Sequence, residues 1–180
     1  MQKKITILSC VTACICVFVL VFNICLKTRD ADSLPFLQDK GVKRGYSKED
    51  MIAKLGEPLK AEDDPIGAAI EYDHYSLILA GNPAEVIVEL NTEGGGVMGV
   101  RINWQLDSTD ETALICEAIE QELRTRTYAA IQKTETTTPE EHTIQYDSDS
   151  QRWRAKIILY DGTNNVMFTF FEIPNWMARE

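Results

Sequence analysis

Residues 84–105 read AEVIVELNTEGGGVMGVRINWQ, and they predict two strands joined by a tight loop. In residues 84–90, apolar and acidic side chains alternate, which is typical of a strand with one buried face. Residues 98–104 repeat the alternation with apolar and polar or glycine positions. Three consecutive glycines, Gly94 to Gly96, lie between the two stretches and indicate a hairpin loop. This part of the chain therefore predicts an antiparallel pair that buries one side.

Further strands are predicted on both sides of this hairpin. They cover residues 69–79, 142–146, 152–160 and 165–173. The stretch from Val166 to Phe171 is apolar on both faces except at Thr169, which favours a central or helix-covered strand. The alternative for this stretch is an edge to which a partner strand could add.

Two helices are predicted from their capping signals. Ser47 and Asp50 form a capping box before a short helix that ends at Gly56, and Ser108 with Glu111 starts a longer one. The longer helix has an apolar stripe made of Leu114, Ile115, Ala118, Ile119 and Leu123. The order of elements after the N-terminal segment is thus α-β-β-β-α-β-β-β. This order predicts an α+β fold in which two helices pack on a mostly antiparallel sheet.

The N-terminal segment predicts a membrane anchor. Residues 5–26 carry no charged side chain, and a helix of that length measures about 33 Å, enough for a hydrocarbon core of about 30 Å. A cleaved signal peptide or a lipoprotein signal are alternatives, but no small-residue cleavage site follows and the residues after Cys14 stay apolar. We therefore expect a basic tail at 1–4, a transmembrane signal-anchor helix at 5–26, a juxtamembrane linker at 27–44 and a soluble α+β domain at 45–180.

The orientation in the membrane follows less directly from the charges. More lysines and arginines follow the apolar segment than precede it, which would keep the domain inside. The short N-terminal tail with Lys3 and Lys4 instead resembles the start of a signal anchor. We expect a single-pass protein of the cell membrane whose soluble domain lies outside the cytoplasm.

Charge and cysteine content exclude several classes of protein. The formal net charge is −10, which argues against nucleic-acid binding because that affinity comes from basic side chains. Four of the five cysteines lie within residues 5–26, so only Cys116 belongs to the predicted domain. Neither a disulfide within the domain nor a cysteine-based zinc site can form.

A short segment resembles a known class of modules. Tyr46-Ser47-Lys48-Glu49-Asp50-Met51, followed by Leu55-Gly56-Glu57-Pro58, resembles the opening of the SmpA/OmlA (BamE-like) and β-lactamase-inhibitor-protein-like modules. The resemblance covers residues 46–58 and implies a small extracytoplasmic domain that binds other proteins. It carries no binding residue over to this chain.

One histidine lies beside residues that suggest hydrolytic chemistry. His74 has Asp73 and Ser76 as near neighbours in the sequence. Adjacent residues of a strand point to opposite faces, so Asp73 cannot orient His74 as a catalytic triad requires. We therefore interpret His74 as a strand residue at the surface of the sheet.

No motif for a metal or a cofactor is complete. The acidic stretches at 62–64 and 147–149 lack the full spacing of a calcium loop, and Gly94 to Gly96 lack the lysine of a phosphate-binding loop. The sequence therefore predicts no catalytic residue, metal or cofactor.

These observations favour a binding protein. We expect a membrane-tethered, extracytoplasmic protein-binding or envelope accessory module without catalytic activity. Its partners would be the lipid bilayer through residues 5–26 and another envelope or membrane protein, and no nucleic acid. The alternatives are a hydrolase with dispersed carboxylates and a structural subunit of a membrane complex. The candidate partner-binding residues lie at and just beyond the end of the last predicted strand: Ile173, Trp176 and Met177.

Overall fold

The fold is a single antiparallel sheet with helices on one side. The structure, a computed structural model of the chain, describes residues 33–126, 131–148 and 153–172. Its helices are α1 (Lys48–Leu55) and α2 (Thr109–Arg126), and a 3₁₀ turn spans Gln38–Lys40. The strands are β1 (Lys60–Asp63), β2 (Ile70–Leu79), β3 (Asn82–Asn91), β4 (Gly96–Gln105), β5 (Ile131–Thr137), β6 (Glu141–Ser148), β7 (Trp153–Tyr160) and β8 (Asn165–Glu172).

The sheet joins two halves of the same construction. Its eight strands lie in the order β1-β2-β3-β4-β8-β7-β6-β5, and the paired neighbours are antiparallel. Each half consists of a helix followed by four strands, and the last strand of each half, β4 or β8, lies at the centre. The stretch from Val166 to Phe171 is therefore a central strand, as its apolar character predicts.

The predicted order of elements is wrong. The sequence predicts three strands after each helix, whereas the structure has four. The additional strands are β1 and β5, the two edges of the sheet. Side chains on both faces of these strands are exposed, so neither strand shows the alternation by which strands are recognised.

The prediction of a transmembrane signal-anchor helix is also contradicted. No helix in the described parts of the chain is long and apolar enough to cross a membrane. Residues 1–32, which include the predicted basic tail, the span at 5–26 and part of the linker, lie outside the described residues. The fold that the structure describes is therefore the antiparallel sheet and its two helices, without a membrane-spanning element.

The hydrophobic core lies between the helices and one face of the sheet. One row of paired residues crosses this face, namely Tyr75, Val86, Ile102, Phe168, Ile157 and Ile144. Ile115, Ile119 and Leu123 of α2 and Met51 of α1 are buried in the same cluster. Leu114, which the sequence places in the apolar stripe, is 64% exposed, so α2 buries a narrower stripe than predicted.

Residues 33–44, predicted as part of a linker, also belong to this core. Leu34, Leu37 and Val42 are fully buried, and Phe36 packs edge-on against the rings of Trp104 and Phe168. The compact unit that contains the sheet begins at Ser33. The segment is therefore part of the folded domain, although Pro35 and Gly41 give it the composition of a linker.

Candidate functional site

The face of the sheet opposite the core carries mostly polar side chains. We call this surface the open face. Three rows of cross-strand neighbours define it: Lys60, His74, Ile87, Arg101, Thr169, Lys156, Gln145 and Thr134; Ser76, Glu85, Asn103, Met167, Ile158, Thr143 and Thr136; and Glu62, Tyr72, Glu89, Gly99, Phe171, Arg154, Asp147 and Gln132. The buried residues of α1 and α2 pack on the opposite side, so the described helices do not cover this face.

A hydrogen-bonded group on the open face surrounds His74. Its Nε2 lies 3.1 Å from Glu62 Oε2, and its Nδ1 lies 3.2 Å from Glu85 Oε1. Asn103 Nδ2 donates a hydrogen bond of 3.0 Å to the other oxygen of Glu85. In either neutral tautomer, the imidazole donates from one ring nitrogen to the carboxylate that this nitrogen faces. Four side chains from four strands, which we call the His74 cluster, thus hold one another in place: Glu62, His74, Glu85 and Asn103.

The carboxylates of the His74 cluster are held in their charged form. The hydrogen bond from Asn103, followed by the one from His74, lowers the pKa of Glu85. The contact with Lys60, more than His74, lowers the pKa of Glu62. The cluster therefore presents fixed charges near neutral pH rather than a carboxyl group ready to exchange a proton.

A groove of about 600 Å³ adjoins the His74 cluster. Its lining includes Leu59, Ser76 and Pro83. Leu59 is 76% exposed, and Ile78, which pairs with Pro83, is 67% exposed. Exposed apolar side chains beside an ordered polar group are common at surfaces that bind other molecules.

A second polar group lies on the core side of β2. Asp73 is fully buried, and neither of its carboxylate oxygens has a hydrogen bond within normal geometry. Lys48 Nζ lies 3.8 Å from Asp73 Oδ1 and is bonded to Glu71. Burial raises the pKa of Asp73, and burial together with the neighbouring Asp73 carboxylate raises the pKa of Tyr75. Because Asp73 is inaccessible, this group bears on stability rather than on contact with a substrate.

Replacing Asp73 with asparagine is expected to stabilise the fold. The pKa of Asp73 is raised in the folded state, so the stability tied to its protonated form is complete below about pH 4 and is lost as the pH rises through the folded pKa. At pH 7, Asp73→Asn should raise the free energy of unfolding, because burying an amide costs less than burying a carboxylate whose nearest cation, Lys48 Nζ, lies 3.8 Å away. The gain should shrink toward zero at pH 4 in urea unfolding.

The matched control is the exposed carboxylate of Asp63 in β1. Asp63→Asn should change the free energy of unfolding by less than about 0.5 kcal/mol at either pH. A loss of stability in Asp73→Asn at pH 7 would mean instead that Lys48 fully compensates the buried charge.

Asp73, His74 and Ser76, which are neighbours in the sequence, do not form a catalytic group in the structure. Asp73 faces the core and His74 faces the open side, in agreement with their alternation along β2. Both ring nitrogens of His74 face Glu62 and Glu85 rather than Ser76. Among the described residues, no group of three or more His, Cys, Asp or Glu side chains is arranged to hold a metal ion.

Sequence reasoning identified His74 but missed its partners. Glu85 and Asn103 lie 11 and 29 positions further along the chain, and only the register of β2, β3 and β4 brings them to His74. The predicted partner-binding residues Ile173, Trp176 and Met177 lie outside the described residues and stay a prediction. Comparison with models of known families, with curated proteins and with solved structures finds no match to this chain.

Proposed function

We propose that the chain is a protein-binding module without catalytic activity and that the open face is its binding surface. The observation that carries the proposal is the one-sided sheet, in which both described helices pack on one face and leave the other available. A partner covering this face would contact side chains from both halves of the fold. The resemblance of residues 46–58 to protein-binding modules agrees with this proposal and stays a prediction.

The dimensions of the open face suit a protein partner. Eight strands spaced about 4.8 Å apart give a width of about 34 Å, and seven or eight residues give a length of about 25 Å. The resulting area of roughly 800 Å² is what one partner contributes to a standard protein–protein interface. A small molecule would need only the groove beside the His74 cluster.

The side chains of the open face also favour a protein. The central strands β4 and β8 place Arg101, Met167 and Phe171 on this face, and these are residue types enriched at interfaces. The three rows hold four basic and four acidic side chains, whereas the whole chain has a net charge of −10. A locally neutral surface of mixed charge matches a protein partner better than a polyanion.

The His74 cluster reduces the loss of side-chain entropy that binding must offset. The hydrogen bonds of the His74 cluster hold its side chains before a partner arrives. At the centre, Gly99 allows β4 and β8 to approach closely, since a Cβ at Gly99 would lie 2.8 Å from Phe170 O and 3.1 Å from the Cβ of Phe171.

A pair of charge insertions tests the proposal. Met167→Arg puts a cation in the middle of the open face, and Leu114→Arg puts the same group on the exposed side of α2. The binding partner is first identified by chemical crosslinking of the full chain in its native cells, followed by mass spectrometry. We expect Met167→Arg to weaken binding of that purified partner at least about tenfold and Leu114→Arg to leave it unchanged.

Circular dichroism of both variants would confirm that the sheet is intact. Loss of binding in Leu114→Arg with full binding in Met167→Arg would move the interface to the helical side. Equal binding by both variants would remove the open face from consideration.

A further inference from the structure

In the described part of the chain, the edge strand β5 pairs with β6 on one side and with no strand on the other. It is the outermost strand of the sheet, next to β6, and its side chains from Gln132 to Thr137 are exposed. The opposite edge, β1, has four residues and ends in the acidic Asp63 and Asp64, features that discourage strand pairing. With seven residues, β5 is the longer and less acidic edge.

The hydrogen-bond pattern shows which β5 residues face outward. Thr138 N–H donates to Glu141 C=O at 2.9 Å, which makes these two residues a hydrogen-bonded pair at the turn. Antiparallel ladders alternate hydrogen-bonded and non-hydrogen-bonded pairs, so Gln132, Thr134 and Thr136 bond to β6. The backbone N–H and C=O groups of Lys133 and Glu135 therefore point away from the sheet.

We infer that β5 pairs with β5 of a second copy of this chain, antiparallel, about a two-fold axis at Thr134. In this register Lys133 lies opposite Glu135 of the other copy, and Ile131 lies opposite Thr137. Each of these pairs uses outward-pointing backbone groups on both strands, so the ladder continues from one sheet into the next. The two eight-stranded sheets would become one sheet of sixteen strands.

The charges of Lys133 and Glu135 favour the axis at Thr134 over an axis at either neighbouring residue. An axis at Lys133 would place the two copies of Lys133 opposite each other. An axis at Glu135 would place the two Glu135 carboxylates opposite each other. Like charges directly opposite destabilise a strand pair, whereas opposite charges stabilise it. An axis between two residues would match outward-pointing groups with inward-pointing ones and would form no ladder.

Lys133 is already held in position for this contact. Its Nζ lies 3.3 Å from Glu120 Oε1 of α2 and 2.9 Å from Glu135 Oε1 on its own strand. The carboxylate of Glu135 from the second copy would add to this network, and little further side-chain entropy would be lost. The inference does not depend on the proposed function, since β5 contributes only the margin of the open face.

Sedimentation of the full chain over a concentration series tests the pairing. Glu135→Lys places lysines opposite each other in the inferred register, and Glu140→Lys makes the same charge change in the exposed β5–β6 turn. We expect a reversible dimer whose dissociation constant rises at least about tenfold in Glu135→Lys and is unchanged in Glu140→Lys. A chain that stays monomeric, or a Glu135→Lys variant that pairs like the unchanged chain, would overturn the inference.

Disulfide crosslinking tests the register. With the five native cysteines replaced, Thr134→Cys places two thiols opposite each other on the two-fold axis, at a Cβ separation of about 4.5–5.5 Å, which a disulfide can bridge after a small adjustment. Thr136→Cys instead faces Gln132 of the second copy. We expect mild oxidation to link the copies in the first variant and not in the second. Equal linking in both, or linking only through Thr136→Cys, would reject the axis at Thr134.

Discussion

Gly96→Ala is expected to destabilise the domain by about 3–5 kcal/mol, as measured by denaturant unfolding. Gly96 has a φ of +64°, and a Cβ there would lie 2.5 Å from Gly45 O and 2.7 Å from Tyr46 O. The backbone at this point is tied by hydrogen bonds of 2.9 Å from Gly45 N–H to Val97 C=O and from Val97 N–H to Tyr46 C=O. The methyl group would have to push these segments apart, which breaks both bonds.

Gly162→Ala provides the control for this clash. Gly162 has a nearly equal φ of +68°, but a Cβ there would meet no atom within 4 Å. Gly162→Ala should lower the free energy of unfolding by about 1–2 kcal/mol, through left-handed backbone strain alone. Equal losses in the two variants would show that the contact between residues 45–46 and the start of β4 contributes little.

Phe168→Ala is expected to lower the free energy of unfolding by about 3–5 kcal/mol. The side chain is fully buried in β8, between Ile102 of β4 and Ile157 of β7, and its ring contacts Phe36 edge-on at 5.9 Å. Removing it would open a cavity where both halves of the sheet and the N-terminal segment meet. Urea unfolding of the full chain would measure the loss.

The neighbouring residue on the other face serves as the comparison. Met167 lies on the open face, is only partly buried and receives a weak hydrogen bond of 3.8 Å from the Tyr160 hydroxyl. Met167→Ala should therefore cost less than about 1.5 kcal/mol. A larger loss at Met167 than at Phe168 would mean that the two faces of β8 have been assigned the wrong way round.

The parts of the fold that could be predicted from sequence are those with one buried face. Strands β2, β3, β4, β7 and β8 alternate or are wholly apolar, and α1 carries the capping box that Ser47 and Asp50 predict. Strands β1 and β5 were missed because both of their faces are exposed. They belong to the sheet through backbone pairing with β2 and β6, and many different exposed side chains would permit that pairing.

Burial in irregular segments was also beyond sequence reasoning. Leu34, Leu37 and Val42 follow no helical or strand period, so their burial depends on the surface that the sheet and α2 provide. Leu114 was predicted as core because it extends an apolar stripe. The fully buried residues of α2 are Ile115, Ile119 and Leu123, with Cys116 packed beside them and Leu114 outside the contact.

The candidate site was predictable only as separate residues. Alternation along β2 correctly places His74 on the surface and Asp73 on the opposite side. The partnership of His74 with Glu62 and Glu85 depends on a register that joins three strands, and no local pattern encodes it. The surroundings of the Asp73 carboxylate likewise depend on the tertiary fold, which buries it and brings Lys48 of α1 to within 3.8 Å.

The central pairing of β4 with β8 has a consequence for how the chain folds. Every other ladder joins strands consecutive in the sequence, and such hairpins form in microseconds. The β4–β8 ladder alone must close a loop that contains α2 and three strands, which is the slower event. We expect the docking of two half-formed sheets to limit the folding rate. Until they dock, β4 and β8 are open edges, so the slowest step is also the one most exposed to aggregation.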